Sequence, residues 1–348
     1  MKLAIIALST FGYFERMSAR LTERGLPTTF FDERPKNDVW SKLKYRLLPK
    51  RIGQQLARDH TRAICERIVA EDYTHVLVFY LEVISQADIE YLKSHGLHVC
   101  RYTWDSVRNR PSVQRFDHLM EAIGSFDPGD CRDHGYTYIP LYSETIDAPN
   151  VLPTEQRSLD LYFCGTMHSS RPALIHDIEE IAKRRGWSIK LSLFFHSRLL
   201  YAIKNLTNRK AMRMYSQIVD TSFPHAQTLA DSQAARVVID INHPGQVGLT
   251  MRTFEALAQG AILSTTNAGA KALLENEFPG RVEPLDFNDL EGSLERALAL
   301  RPAPLTDSQF YSLSQNRFIE QILNLIGIDP AVLTDGRRPT QTIPATQA

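Results

Sequence analysis

Short apolar runs alternate with amphipathic helical patterns along most of the chain, first over residues 2–140 and again from residue 159 onward. Lys2–Leu8, for example, is followed by a turn, by a helical pattern and by a stop at Gly25, which is typical of strand, turn and helix. Strands that alternate with helices pair in parallel, so each sheet is covered by helices on both faces. The sequence therefore predicts an α/β protein built from Rossmann-type units.

Chain length and one polar segment predict two domains. A chain of 348 residues exceeds what one hydrophobic core usually covers. Residues 144–158 are polar and contain prolines, the composition of a linker, so we place the boundary there. The predicted organisation is an amino-terminal Rossmann-like acceptor domain over 1–145, a carboxyl-terminal Rossmann-like donor domain over 158–305, a helix over 306–330 and a disordered tail over 331–348.

Composition argues against several partners and locations. The 40 Lys and Arg residues balance 40 Asp and Glu residues, so nucleic acid is not an expected partner. The apolar runs are too short to span a bilayer, and Met1-Lys2 leads directly into a strand, so we expect a cytoplasmic protein. The four cysteines lie about thirty residues apart and are interpreted as reduced, packed thiols. For Cys131, beside Asp130 and Arg132, a lowered pKa stays an alternative.

Glycine, hydroxyl and basic residues follow the first strand of the second half. Ligands bind at the carboxyl ends of parallel strands because helix N-termini offer free N–H groups there. Gly165, Thr166 and Arg171 come after the apolar run 159–164 and lead into a helix. Glycine permits close approach of a phosphate, and arginine supplies a charged bidentate fork. The alternative is an ordinary helix cap beside a solvated arginine.

A second candidate segment covers residues 237–260, as a strand, a Gly/Pro turn and a helix. On that helix Phe254 and Leu257 belong to the buried stripe, while Arg252 and Glu255 share another face. An Arg and a Glu at this spacing can form a surface ion pair of small energy. Their position directly after a loop at a strand end favours contact with a ligand.

The residues of this segment also carry a resemblance. Residues 240–267, which read D-I-N-H-P-G-Q-V-G-L-T-M-R-T-F-E-A-L-A-Q-G-A-I-L-S-T-T-N, resemble the donor-site segment of bacterial capsule and lipopolysaccharide glycosyltransferases, the CgeB-like and glycosyltransferase family 4-like group. Residues 102–106, Tyr-Thr-Trp-Asp-Ser, resemble the amino-terminal half of the same proteins. The likeness covers most of residues 1–300.

The resemblance implies the GT-B architecture, two Rossmann-like domains whose parallel sheets face a central cleft, with a nucleotide-sugar donor held mainly by the second domain. It implies Glu255 as the ribose ligand, with Arg252 and Arg171 as phosphate ligands. Val247 stands where larger retaining families carry a second glutamate, so the donor sugar and the stereochemical outcome stay open. The predicted donor-binding residues are Gly165, Thr166, Arg171, Gly248, Thr250, Met251, Arg252 and Glu255.

The acceptor-side candidates lie in the first half. Asp105, which with Trp104 follows the strand ending near Tyr102, is the predicted catalytic residue, because a carboxylate there can take the proton of an acceptor hydroxyl. Capping of the next segment is the alternative role of Asp105. Tyr13 and Glu82 follow two other strands and are expected at the same edge of the sheet, with packing and capping as their alternative roles.

Two basic segments are candidates for contact with a membrane. Residues 36–58 interleave Lys and Arg with Trp, Tyr and Leu, and residues 198–213 are similarly basic. Such stretches can rest on anionic lipid headgroups, where a lipid-linked acceptor is found. A solvated basic helix is the alternative.

Together these features predict a glycosyltransferase that moves a sugar from a nucleotide-diphosphate donor to a cell-envelope glycan, either lipopolysaccharide or a capsular polysaccharide. The sequence lacks an Asp-x-Asp triplet and a Walker A motif, and its histidines lack metal-ligand spacing, so we expect no metal and no cofactor. A sugar-nucleotide epimerase of the same architecture and a catalytically silent binding protein are the alternatives. Glu255→Gln is expected to weaken donor binding and to leave the melting temperature nearly unchanged.

Overall fold

The chain folds as two compact α/β units. The computed structural model describes residues 1–9, 12–34, 50–145, 151–168, 170–243 and 246–334. Unit 1 consists of Met1–Ile139 with Glu320–Ala348, and unit 2 of Pro140–Ile319. The predicted α/β fold class with two Rossmann-like domains is therefore confirmed, while the acceptor and donor roles of the two domains stay predictions.

Unit 1 contains a sheet of six parallel strands in the order β2-β1-β3-β4-β5-β6. The strands are β1 Leu3–Ala7, β2 Thr28–Asp32, β3 His75–Val78, β4 His98–Thr103, β5 Ile123–Ser125 and β6 Thr137–Tyr138. The helices before the linker are α1 Tyr13–Glu23, α2 Lys50–Ala70, α3 Gln86–Ser94 and α4 Pro128–His134. Every residue of β1 is buried, as expected for a strand covered on both faces.

Unit 2 contains a second sheet of six parallel strands in the order β12-β11-β10-β7-β8-β9. The strands are β7 Leu159–Thr166, β8 Ile189–Phe194, β9 Ile218–Val219, β10 Ala235–Asp240, β11 Ile262–Thr265 and β12 Val282–Pro284. The helices are α5 Arg171–Arg185, α6 Arg198–Asn205, α7 Arg209–Arg213, α8 His225–Ala234, α9 Met251–Ala258, α10 Ala270–Leu274, α11 Leu290–Ala299, α12 Asp307–Leu313 and α13 Gln315–Leu325. Numbered within the unit, this is the strand order 3-2-1-4-5-6 of the doubly wound Rossmann fold.

The core of unit 2 explains why these segments form these elements. Leu161 and Phe163 on β7 and Val237 and Ile239 on β10 are buried together, with Ile175 of α5 packed against them. Apolar runs of this length, covered by a helix, satisfy their backbone groups only as central strands of a sheet. The carboxyl ends of β7 and β10 are thereby held side by side.

The carboxyl-terminal part of the chain differs from the prediction. The predicted helix over 306–330 is two helices, because Ser314 between α12 and α13 has an extended backbone. The boundary between the two units falls within α13, whose last residues belong to unit 1. The predicted disordered tail begins with placed residues, since the Thr334 backbone N–H donates to the Arg24 carbonyl at 2.8 Å. Residues 335–348 lie outside the described residues.

The cysteines are free thiols with raised pKa values. Burial, with the neighbouring carboxylates of Asp130 and Asp127, raises the pKa of Cys131 to about 11. The alternative of a lowered pKa for this thiol is therefore wrong. Burial likewise raises the pKa of Cys65 to about 12.

The two basic segments have different outcomes. Residues 35–49 lie outside the described residues, and residues 50–58 form the first turns of α2. Residues 198–213 form α6 and α7. In the part of the chain that the structure describes, no helix combines the length and the apolar character needed to cross a bilayer.

Candidate functional site

The strand order of unit 2 changes direction between β7 and β10. These strands pair in parallel, with Val238 opposite Tyr162 and Ile239 opposite Phe163. Because the connections from the two strands run to opposite faces of the sheet, a crevice opens at their carboxyl ends, which is where open α/β sheets bind ligands. The sequence-predicted donor residues of both segments come to this edge, at the end of β7 and in the turn and helix after β10.

Arg171 connects the two strand ends. It is the first residue of α5, and its Nη1 lies 3.2 Å from the Thr166 carbonyl, while its Nη2 donates to the Ile241 carbonyl. Burial lowers the pKa of this guanidinium, with the Asp240 carboxylate acting in the opposite direction. Arg171 is thus present at the site, but two of its nitrogens already hold backbone carbonyls.

Gly165 has a packing role of its own. A Cβ at this position would come 2.9 Å from the ring of Phe163, so a larger residue would displace that buried ring irrespective of any ligand. Met251 is also buried, as the first residue of α9. These two predicted donor residues therefore shape the site from within.

Asp240 is a site residue that the sequence analysis did not single out. It ends β10, it is buried, and its Oδ2 accepts from the Thr250 hydroxyl at 2.9 Å and from the Thr253 hydroxyl at 3.0 Å. Thr250 also caps α9, because its Oγ1 accepts from the Thr253 backbone N–H at 3.3 Å. Burial raises the pKa of the Asp240 carboxyl, against the lowering effect of both hydroxyls and of Arg252. This carboxyl fixes the amino end of α9 to the sheet.

Side-chain amides hold the turn before α9. Asn267 Nδ2 donates to the Val247 carbonyl at 3.0 Å, and Gln246 Nε2 donates to the Gly248 carbonyl at 3.0 Å. The Asn242 backbone N–H donates to the Thr266 hydroxyl at 3.1 Å. Hydrogen bonds from Asn267, in the loop after β11, and from Gln246, within the turn, therefore hold residues 246–250 in place.

Glu255 lies in a cluster of ionisable side chains. Its Oε2 is 2.9 Å from Arg252 Nη1 and its Oε1 is 3.2 Å from His225 Nε2, which in turn is 3.5 Å from Glu144 Oε2. The Glu255 side chain is 3% exposed and that of Arg252 is 19% exposed. The surface ion pair considered from the sequence is thus a buried one with two further members.

His225 and Glu144 could not be found from the sequence. His225 is the first residue of α8, a helix whose sequence carries little amphipathic signal, and Glu144 lies in the segment interpreted as a linker. His225 contacts Glu255 and Glu144 contacts His225, both across long sequence separations. The only sequence feature that indicated the start of α8 is Pro224, which directly precedes it.

The arrangement suits an anionic ligand with neighbouring hydroxyls. The amino end of α9 is the positive end of the helix dipole, and Arg252 adds a charge in its first turn. Glu255, one turn later, can accept hydroxyl hydrogen bonds. Since its oxygens now face Arg252 and His225, such contact requires Glu255 to exchange one of these partners.

The four acceptor-side candidates lie at the carboxyl edge of the unit 1 sheet. The Tyr13 and Trp104 rings are 5.9 Å apart between centroids. Arg110 joins the two carboxylates, with Nη1 3.6 Å from Asp105 Oδ2 and with Nη2 on Glu82 Oε1. The Asp105 side chain is 51% exposed, so its carboxylate is open to solvent.

The Glu82 carboxylate forms ion pairs with two arginines. Burial acts to raise its pKa, but hydrogen bonds from Arg110 and Arg34 lower it below its usual value. Arg34 Nε lies 3.1 Å from Glu82 Oε2. A carboxylate with two guanidinium partners is a weaker proton acceptor, so Glu82 is poorly suited to act as a general base.

A cavity of about 620 Å³ adjoins Glu82 in unit 1. Its polar lining includes Arg58, Ser85, Gln86 and Arg115. The loop that leads from β3 to Glu82 is strained at Leu81, which has a φ of 55°. Arg115 Nη2 donates to the Leu81 carbonyl at 2.5 Å and so holds this loop. 

The same loop rests on Glu33, which the sequence analysis also missed. Glu33 is fully buried, and its Oε1 accepts from the backbone N–H groups of Val83 at 2.5 Å and Ile84 at 2.8 Å. Burial raises the pKa of this carboxyl, against those two hydrogen bonds. Glu33 thereby fixes the wall of the cavity.

Glu255→Gln is expected to lower stability, in place of the unchanged melting temperature expected from the sequence. The amide would set an N–H donor against Arg252 or His225 and leave a buried cation without its counter-charge. The free energy of unfolding should fall by about 3 kcal/mol, as measured by urea denaturation. Glu277→Gln, at an exposed glutamate of the same unit, is the control and should change it by less than about 0.5 kcal/mol. Equal effects of the two substitutions would contradict the buried cluster.

Asp240→Asn is expected to become relatively more stabilising as pH rises. Because the folded pKa is raised, the wild-type carboxyl contributes stability below its unfolded pKa, and this contribution is lost as pH rises through the folded value. The asparagine oxygen can still accept from both threonines, since both now donate to one oxygen. Urea denaturation of both proteins at mildly acidic and mildly alkaline pH measures the difference. A mutant that loses stability relative to wild type on going to the higher pH would refute the assignment.

Comparison with known proteins shows the fold. No family model and no curated protein sequence matches the chain. The lipopolysaccharide outer core galactosyltransferase WaaB, in its apo form, aligns over 94% of this chain and 99% of its own, with a TM-score of 0.55 and 13% identity. A glycosyltransferase from Rickettsia africae aligns over 93% and 97%, with a TM-score of 0.57 and 11% identity.

A third solved structure of the same fold is a different enzyme. UDP-GlcNAc 2-epimerase from Methanocaldococcus jannaschii, in complex with UDP-GlcNAc and UDP, aligns over 93% of this chain and 99% of its own, with a TM-score of 0.52 and 15% identity. At these identities the likenesses establish the fold alone. The chain has the two-domain, Rossmann-like GT-B fold that its sequence predicted.

Proposed function

We propose that this protein is a glycosyltransferase that moves a sugar from a nucleoside-diphosphate sugar to a glycan acceptor. The observation that carries the proposal is the convergence, at the β7/β10 switch point, of the amino end of α9, Arg252 and Glu255. A nucleoside diphosphate carries the two matching chemistries, an anionic diphosphate and a ribose with two neighbouring hydroxyls. The sequence likeness of residues 240–267 to glycosyltransferase donor segments supports the same assignment, including the finer CgeB-like grouping.

Each donor-side residue has a distinct proposed role. The diphosphate lies at the amino end of α9, where the helix dipole is positive, with Arg252 neutralising its charge. Glu255 accepts the ribose hydroxyls after it exchanges its contact with His225 or Arg252. Arg171 and Asp240 position the loops, because their polar atoms hold the two strand ends and the helix cap.

The acceptor is proposed to be a cell-envelope glycan, either lipopolysaccharide or a capsular polysaccharide. The fold likeness to WaaB, named for the lipopolysaccharide outer core, and the sequence likeness to capsule enzymes support this class. Asp105 is the proposed general base, since it is exposed and lies at the unit 1 sheet edge. The proposed acceptor contacts are Glu82, which lines the cavity, and the neighbouring rings of Tyr13 and Trp104.

We propose a cytoplasmic enzyme that works at the inner face of the plasma membrane, where lipid-linked acceptors are exposed.

We further propose that catalysis needs no metal, because basic groups and a helix dipole can neutralise the departing diphosphate. Activity that is abolished by EDTA and restored by Mn²⁺ or Mg²⁺ would contradict this.

A sugar-nucleotide epimerase is the second candidate, favoured by the fold likeness to UDP-GlcNAc 2-epimerase. An epimerase converts its nucleotide sugar without an acceptor, so a new sugar isomer in an incubation with donor alone would support it. A catalytically silent binding protein would bind nucleotide and release no product with any acceptor.

Arg252→Gln is expected to weaken donor binding by about ten- to a hundred-fold, since it removes a charge-assisted contact to phosphate. Calorimetric titration of the wild type with a panel of nucleoside diphosphates first identifies the ligand. The affinity of the Arg252 variant and of a control variant for that ligand is then measured in the same way. Arg236→Gln is the matched control, because Arg236 also pairs with a carboxylate, Asp160, but sits at the opposite end of the sheet. Equal affinities of the Arg252 variant and wild type would remove the α9 site from the proposal.

A further inference from the structure

One short helix of unit 2 displays an apolar stripe to solvent. Leu199, Ile203 and Leu206 are 69%, 62% and 75% exposed. Their spacing of four and three residues places them on one face of α6 and its continuation. With Leu200, they make four of the eleven large hydrophobic residues exposed in the described part of the chain. We call residues 198–206 the apolar helix.

The apolar helix is held in place from its opposite side. Tyr201 is fully buried, and its hydroxyl donates to the Ala211 carbonyl at 2.9 Å. Ser197 caps the helix, since its Oγ accepts from the Leu200 backbone N–H at 3.3 Å. The exposed stripe is therefore a defined face, and contiguous exposed apolar surface of this kind marks an interaction site.

The chain segment that contains the apolar helix is basic. Residues 181–219 contain nine Lys and Arg residues and no Asp or Glu. Lys210 pairs with Asp177 at 2.7 Å. Among the residues with described positions, no carboxylate forms an ion pair with the remaining basic residues near the stripe, which are Arg198, Lys204, Arg209 and Arg213. All four are exposed.

We propose that the apolar helix and its flanking cations dock unit 2 on a bilayer that contains anionic lipids. Apolar side chains of an interfacial helix enter the boundary between headgroups and acyl chains, while Lys and Arg bind the lipid phosphates. A second copy of the chain fits this surface poorly, because a two-fold contact would set the same cations against one another. This surface would bring the protein to a lipid-linked acceptor. That link to the acceptor rests on the proposed function, whereas the docking on the bilayer does not.

The first test replaces the stripe. The full chain is sedimented with phosphatidylcholine vesicles that do or do not contain phosphatidylglycerol. Leu199→Gln with Ile203→Gln and Leu206→Gln should lower the partition coefficient on anionic vesicles by about ten-fold or more. Phe287→Gln is the matched control, since Phe287 is 62% exposed on the same unit but outside the stripe, and it should bind like wild type. Unchanged thermal unfolding shows that the variants fold.

The second test replaces the charges. Arg198→Glu with Lys204→Glu should lower binding to anionic vesicles by about ten-fold or more and leave the weak binding to pure phosphatidylcholine unchanged. Arg108→Glu with Arg132→Glu changes the net charge equally at exposed residues of unit 1 and should have a much smaller effect. Equal losses from both pairs would overturn the proposal, because binding would then follow net charge alone.

Two further results separate this inference from the alternatives. Sedimentation of the stripe variant equal to that of wild type would overturn docking through the apolar helix. Self-association of wild type that the stripe variant abolishes, without vesicle binding, would overturn it in favour of a protein interface. The stripe variant should bind the donor nucleotide like wild type, so a wild type that binds vesicles but no nucleotide contradicts the proposed function and leaves the docking surface supported.

Discussion

Parallel pairing of β7 with β10 is the constraint on which the candidate site depends. It sets side by side the ends of two strands that lie far apart in the sequence, and the reversal of strand order opens a crevice between their following loops. Arg171 then bonds to the backbone at both strand ends, and Asp240 ties the cap of α9 to the sheet. The amino end of α9 is therefore positioned by groups that the ligand need not touch.

The cluster of Glu255, Arg252, His225 and Glu144 would couple the proposed ligand binding to stability. Glu255 has Arg252 and His225 as its polar partners at a position with little solvent. A ribose would replace one of these contacts with hydroxyl donors, while a diphosphate would take over part of the charge of Arg252. The same substitutions that weaken ligand binding should thus also destabilise the unit, and only affinity and stability measured together separate the two effects.

The sequence predicted the elements whose signal is local. Apolar runs such as β1 and β10 and the helix after the Gly/Pro turn were found within a few residues of their bounds, because burial and periodicity are properties of neighbouring residues. It did not predict the contacts of Glu255 with His225 or of Glu33 with the loop at Val83, since these join positions thirty or more residues apart. The two-residue strands β6 and β9 carry too few residues for a pattern, and α8 was missed because its sequence shows no clear apolar face.

Hydrogen exchange of the full chain, with and without a tightly binding nucleoside diphosphate, tests the central claim most directly. Backbone N–H groups that hold phosphate exchange more slowly, because the ligand stabilises their bonded state. The account predicts that protection concentrates in peptides covering residues 246–255, at the turn and the first turns of α9, with a smaller effect at the end of β7. Protection confined to other parts of the chain, with these peptides unchanged, would contradict it.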